Sequence, residues 1–294
     1  MKSSASEPLA HADAISTSTS AIATGTASSS ARYANEPSVR IATYNVNGIN
    51  GRLSVLLRWL ETAKPDIACL QELKAPNDKF PAAAIERAGY GAIWHGQQRW
   101  NGVAILARGC EPVETRRGLP GDPGDTHSSY VEAAVRGSIV GCLYLPNGNP
   151  VGTEKFDYKM RWIGRFEALA AELVALDAPV VIAGDYNIIP TDADVYKPER
   201  WVDDALFAPE AKAAYARILK QGWTDALRRL YPDEKVYTFW KYWRGAFERD
   251  AGLRIDHLLL NKPAAKRLRA AGVDRTVRGW EKTSDHAPVW IELE

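Results

Sequence analysis

Three cysteines in 294 residues leave little scope for covalent cross-linking. Cys69, Cys110 and Cys142 are odd in number, widely spaced and without a CxxC pair. That excludes a disulfide framework or a thiolate zinc site and fits a reducing compartment. Cys69 and Cys142 lie inside apolar runs and read as small buried hydrophobes. No run of about 18 apolar residues is present, so no membrane-spanning helix is expected. A compact apolar signal-peptide core is also missing from the N-terminus. An excess of one charge is lacking too. The 37 Lys and Arg against 36 Asp and Glu leave a formal net charge of +1. This argues against a binder working through bulk positive charge and leaves room for a local basic face. Together these absences point to a cytoplasmic protein, nucleoid-associated if bacterial, with no membrane contact.

What is present divides at about residue 37. Residues 1–37 are mostly Ser, Ala and Thr, with Leu9, Ile15 and Ile22 as the only large aliphatics. Such a segment buries too little surface to offset its ordering entropy and is expected to be a disordered extension. An organelle transit peptide is the competing reading, opposed by Glu7, Asp13 and Glu36 against few basic residues. Residues 38–294 suffice for one large domain. Strands are expected at 39–44, 67–70, 102–106, 130–135, 138–145, 179–184, 254–260, 271–277 and 287–293. Helices are expected at 52–63, 155–176, 209–220 and 224–230. Many strands with a few interleaved helices suggest two packed sheets with helices outside.

Polar residues fall where those strands end. Asn45 and Asn47 follow one apolar strand, Glu72 a second, and Asp185 and Asn187 a third. Asp256 and His257 interrupt a fourth, and Asp285 and His286 precede the last. Rigid strand ends fix ligands well. Carboxylates and carboxamides are hard oxygen donors that suit Mg²⁺ or Mn²⁺. One His beside one Asp suits a phosphate. Phosphoryl transfer chiefly needs a positioned nucleophile and stabilised phosphate oxygens. Each short stretch alone also reads as a plain turn or cap.

The ordered set Ala42–Gly48, Leu70-Gln71-Glu72, Tyr144–Gly148, Gly184–Ile188, Tyr237–Trp240, Gly252–Asp256 and Ser284–Pro288 resembles the exonuclease III family of abasic-site DNA-repair nucleases. That family lies within the endonuclease/exonuclease/phosphatase superfamily. The resemblance implies an α/β four-layer sandwich, two packed mixed β-sheets flanked by helices. It implies Mg²⁺ as cofactor, with Mn²⁺ as a substitute. It implies a monomer that incises double-stranded DNA at abasic sites and removes 3′-blocking groups or nucleotides. Position by position, Glu72 resembles the main metal carboxylate and Asp285 a second one. Asn45 resembles the residue that orients them, and Asn47 stands where some relatives have a metal-contacting Asp. Asp185 resembles the group that activates water or protonates the leaving oxygen, and Asn187 one that holds the nucleophile. Tyr144 resembles a phosphate-facing phenol. His286 resembles the phosphate-binding histidine, with Asp256 orienting it.

For DNA contact the same resemblance implies Arg99, Trp100 and Asn147 at the backbone, and Phe239, Leu253 and Ile255 around a pocket for a sugar lacking its base. Trp240 lies in the same aromatic run, and Trp243 stands where a relative inserts a wedge. The 262–282 segment is basic and is read either as a solvated face or as a phosphate contact. Two other readings compete. One is a superfamily phosphoesterase acting elsewhere, as a general nuclease, inositol-phosphate phosphatase or sphingomyelinase. The other is a DNA-binding scaffold without catalysis.

Overall fold

Alternation along the strands decides which side chains meet between the sheets and which meet the helices. The computed structural model describes residues 38–294, so the expected disordered tail lies outside the described residues. Strand β1 (Val39–Asn45) is followed by α1 (Leu53–Ala63), β2 (Ile67–Gln71), α2 (Ala82–Arg87), β3 (Tyr90–His95), β4 (Val103–Arg108), β5 (Val113–Arg117), β6 (Tyr130–Val135) and β7 (Ser138–Tyr144). Then come α3 (Glu154–Val174), β8 (Val180–Asp185), α4 (Pro209–Lys220), β9 (Thr224–Asp225), α5 (Ala226–Leu230), β10 (Asp256–Leu260), α6 (Lys262–Arg267), β11 (Leu268–Val273), α7 (Arg275–Arg278) and β12 (Val289–Leu293). One six-stranded sheet has the order β11-β12-β1-β2-β4-β3, and the other β5-β6-β7-β8-β10-β9. β1 pairs parallel with β2, and β7 with β8; the remaining pairings are antiparallel, so both sheets are mixed.

Ile41, Ile67 and Cys69 of one sheet pack against Val140, Cys142, Val181, Ala183 and Leu258 of the other. The opposite faces are covered by helices. Ala42, Tyr44 and Leu70 meet Leu56, Trp59 and Leu60 of α1. Val180, Ile182 and Tyr186 pack with Trp162 and Phe166 of α3 and Tyr215 of α4. This is the expected sandwich. Among the described residues, no helix is long and apolar enough to cross a membrane.

Several element boundaries differ from expectation, for visible reasons. The edge strands β3 and β5 lie outside the expected set. β5 is exposed along most of its length, so it has no buried face to mark it. The strand expected at 254–260 begins only at Asp256, because Leu253 pairs instead with Phe239 and Val195 in isolated bridges. The strand expected at 271–277 ends at Val273. Beyond it, the Asp274 carboxylate accepts the indole N–H groups of Trp59 and Trp290, at 2.7 and 2.9 Å, and α7 begins. In the stretch expected as one helix, 224–230, the side chain of Asp225 caps a helix starting at Ala226.

Candidate active site

The inward rows of both sheets change from apolar to polar at one end of the sandwich. On β1 the row continues from Ile41 through Thr43 to Asn45; on β8 it runs from Val181 and Ala183 to Asp185. Asp256 opposes Asp185 directly in the antiparallel pair, and Tyr144 sits level with Asp185 on the other side. His257, one residue on, points to the opposite face. Its Nδ1 lies 2.9 Å from Arg254 Nη1 and its Nε2 lies 3.0 Å from the Ile188 carbonyl oxygen. Arginine can only donate and a carbonyl can only accept, so His257 is a neutral imidazole protonated at Nε2. Burial and the neighbouring Arg254 pull its pKa down to about 4. His257 is therefore structural, and Asp256 alone of that pair faces the site.

The two sheets end in matching turns. The Asn47 N–H bonds back to Asn45 Oδ1 at 3.0 Å, and the Asn187 N–H to Asp185 Oδ1 at 2.9 Å. Asn47, Glu72 and Asn187 all adopt the left-handed region, with φ of 47°, 52° and 46°. Non-glycine residues persist there only when the surroundings over-determine them, a pattern that concentrates at functional sites.

Asn45 joins the sheets. Its Nδ2 donates to Glu72 Oε1 at 3.0 Å and to Asp185 Oδ2 at 2.9 Å. Ser284 holds Asn45 in turn through a 2.7 Å bond to its carbonyl. His286 Nδ1 lies 2.9 Å from Asp256 Oδ2, and its Nε2 lies 3.7 Å from Asp185 Oδ2. Thr238 Oγ1 donates to Asp256 at 2.6 Å, and Phe239 meets the His286 ring edge-on at 4.9 Å between centroids. Burial opposes charge on His286, but the carboxylates of Asp256, Asp185 and Asp285 outweigh it and push its pKa up to about 10. Burial pushes Asp185 up to about 7 against the pull of His286, with Asp256 adding to the rise. Burial and the nearby Glu72 and Asp185 hold the Tyr144 phenol well above its ordinary range, so it keeps its proton.

Asp185, Asp256 and His286 offer ligand atoms within 4.8 Å of one another, close enough to hold a metal ion. His286 instead hydrogen-bonds Asp256 through Nδ1 and lies at ion-pair distance from Asp185 through Nε2. A second cluster fits a hard cation better. Lys74 Nζ lies 2.7 Å from Glu72 Oε2 and 2.6 Å from Asn47 Oδ1, so an ammonium already sits among these oxygens. Asn47 Nδ2 donates to Asp285 Oδ1 at 2.9 Å, bringing the second carboxylate alongside. Glu72, Tyr144 and Asp285 line a cavity of about 830 Å³, which the Asn147 and Trp100 side chains also border.

This chain belongs to the endonuclease/exonuclease/phosphatase family. The family model matches residues 42–286. Exodeoxyribonuclease III of Haemophilus influenzae is 32% identical over 269 residues, covering 87% of this chain and 100% of the relative. An AP endonuclease from Archaeoglobus fulgidus superposes with a TM-score of 0.84 at 37% identity, covering 87% of this chain and 99% of that one. A 3′–5′ exonuclease from Neisseria meningitidis gives 0.84 at 38% identity, covering 87% and 100%. Membership makes the chain a hydrolase of the superfamily named from its motifs.

The residues expected at the DNA are less uniformly placed than the central set. Trp100 and Trp243 are exposed, at 72% and 61%. Arg99 is exposed with φ of 80°, and Asn147 is exposed while its Nδ2 reaches Asn187 Oδ1 at 3.3 Å. Trp240 corrects its expectation. It is fully buried against Phe247, donates its indole N–H to Asp250 at 3.0 Å, and so supports the loop without reaching DNA. Leu253 and Ile255 are also buried, in a cluster with Ile189, Val195, Leu206 and Phe207; Phe239 and Trp201 are the partly exposed members. The basic 262–282 segment is largely spent within the protein. Arg278 is buried on the Trp240 carbonyl, Arg275 pairs with Asp250 and Arg269 with Glu294.

Two lysines beside the site were not expected from the sequence. Lys74, two residues past Glu72, carried no motif of its own. Lys159 is fully buried on α3, and its Nζ donates to the carbonyls of Asn147, Asn187 and Ala205 at 3.1, 2.7 and 3.0 Å. Its only sequence sign is a lysine beside Trp162 and Ile163 on the apolar stripe of an amphipathic helix.

Proposed function

We propose that this chain is a Mg²⁺-dependent DNA-repair phosphodiesterase that incises double-stranded DNA at abasic sites and removes 3′-blocking groups or nucleotides. The observation that carries the reading is the position of Asp185, tied by Asn45 to Glu72 and faced by His286. A carboxyl pushed up to about 7 accepts a proton from water effectively near neutral pH. In the proposed reaction Asp185 takes that proton as the water oxygen bonds to phosphorus and the bond from phosphorus to the 3′ oxygen breaks, the departing 3′ oxygen taking up a proton from solvent as Asp185 releases its own. Asn187 holds the water. The imidazolium of His286, its Nδ1–H held by Asp256, donates its Nε2–H to a phosphate oxygen, and the Tyr144 phenol donates to another. Glu72 and Asp285, with Asn45 and Asn47 beside them, would hold the divalent ion, with Mn²⁺ as a substitute. When bound, it neutralises charge on the phosphate oxygens. Arg99, Trp100, Asn147 and Trp243 supply the exposed DNA-facing groups, and Phe239 the open edge of the sugar pocket. The reading includes a monomer working in the cytoplasm, at the nucleoid if the source is bacterial.

The test is a labelled duplex with one abasic analogue, beside an unmodified 3′-recessed duplex and a soluble phosphomonoester. Wild type with Mg²⁺ is expected to cut the abasic duplex. Glu72→Ala and His286→Ala should each lose roughly two to four powers of ten in rate. Preferred turnover of the soluble ester, or full incision by either variant, overturns the reading.

A further inference from the structure

His127 borders the cavity that Glu72, Tyr144 and Asp285 line, yet the reaction above makes no use of it. Its side chain is 48% exposed. Its Nδ1 lies 2.7 Å from Asp125 Oδ1, and its backbone N–H donates to the same oxygen at 3.1 Å. Asp125 is itself nearly buried and firmly held. The Tyr158 hydroxyl donates to it at 3.0 Å, and Arg165 pairs with it. Burial disfavours its charge, but Arg165 and His127 more than compensate and keep its carboxyl down at about 2. A carboxylate only accepts, so Nδ1 carries a hydrogen directed at Asp125. Nε2 has no partner among the described residues.

The wall around it is braced. The Ser128 N–H donates to Gln97 Oε1 at 2.8 Å, and Asn101 Nδ2 donates to the same oxygen at 3.1 Å. The loop carrying His127 is thereby tied to the loop carrying Trp100. The charges in the cavity also divide clearly. Glu72 is matched by Lys74 and Glu154 by Arg161, while Asp285, also on the lining, has no cationic partner among the described residues. Asp125 is already matched by Arg165. Lys155 lines the same cavity and makes no ion pair among the described residues.

We infer that His127 holds a DNA backbone phosphate other than the one that is cut. It forms with Asp125 a second histidine–carboxylate pair, used for grip and register and not for chemistry. The inference rests on the DNA-phosphodiesterase reading. Its chemistry is specific: with Nδ1 fixed by a carboxylate, Nε2 is the one ring nitrogen left to meet an anion across a shared proton, and phosphates recur along a strand at a regular spacing.

Equilibrium binding and steady-state incision separate this from the function itself. Binding of a labelled abasic duplex is read by anisotropy in EDTA, and incision is read with Mg²⁺. His127→Ala is expected to weaken binding and raise KM by on the order of tenfold, with kcat nearly unchanged. The salt slope of log affinity should fall by about one. His127→Gln, which keeps a donor but not the charge, should show the same loss of slope with a smaller loss of affinity. A single neutral methylphosphonate, moved along the strand, should cost wild type affinity at one uncut position where His127→Ala shows no further loss. Wild-type affinity, slope and methylphosphonate profile in His127→Ala overturn the inference. If wild type binds but never incises, the function reading fails while the binding comparison still decides the role of His127.

Discussion

At the scale of single residues, the site works by assigning opposite tasks to groups a few ångströms apart. His286 and His257 are both buried, yet one is held positive and the other neutral. The difference is in their neighbours. His286 faces two carboxylates, whereas His257 faces a guanidinium and a carbonyl. Replacing Asp256 by Asn keeps the shape but removes the main source of charge on His286. Asp256→Asn is expected to cut incision by roughly ten- to a hundredfold or more, as such outer partners do. The ¹⁵N shifts of His286 should then report a neutral ring near pH 8, where wild type reports a cation; an unchanged cation would remove Asp256 from that role. His257 gives a second prediction, of stability. Its folded pKa of about 4 lies below the unfolded value of about 6.5, so the unfolded chain binds more protons between them. The stabilisation is complete above about pH 6.5 and is lost as pH falls towards 4, on the order of 3 kcal/mol. Urea midpoints taken from pH 7.5 to 4.5 should fall accordingly, and His257→Gln should flatten that slope.

At the scale of elements, three separate loops converge because one side chain ties their backbones together. Lys159 reaches from α3 to the carbonyls at 147, 187 and 205. Burial pulls its pKa down to about 7, with Asp204 and Asp185 opposing. The three acceptors oppose it as well, since a neutral amine has only two N–H groups to give. Gly148 lies so close that an added Cβ would come within 2.5 Å of the Lys159 side chain, and its φ of +84° also favours glycine. Lys159→Met leaves three carbonyls without their donor in a dry place. A loss of about 2–4 kcal/mol is expected in urea unfolding, together with a weakened hold on Asn187. A stability within about 0.5 kcal/mol of wild type would mean that water replaces the ammonium.

At the scale of the whole molecule, the sandwich brings together residues as distant in the chain as Asn45 and Ser284. Both sheets present a polar end at the same edge because β1 and β8 each close with the same side-chain-to-backbone turn. The exposed groups lie around that centre. Trp100 and Trp243 project into solvent, while Trp240 is locked in the loop that supports Trp243. In the proposed function DNA contact falls to the rim, and chemistry to the strand ends.

The central residues were legible in the sequence because strand-end polarity is a local pattern. An apolar run followed by Asn, Glu or Asp marks both the strand and the group it delivers, and the motif order tied Asn45, Glu72, Asp185, Asp256, Asp285 and His286 into one set. Main strands and long helices were legible for the same reason, since alternation and 3.6-residue spacing are local. Strand β5 was not, because it is exposed along most of its length and has no buried face to produce alternation. Only the tertiary structure decided which aromatic of the 237–243 run touches solvent, and that His257 turns away while Asp256 turns in. It alone placed Lys74 among the acidic oxygens, Lys159 under three loops and His127 on the wall of the cavity. Those roles depend on neighbours far along the chain, and burial and charge pairing across such distances leave no periodic trace in a sequence.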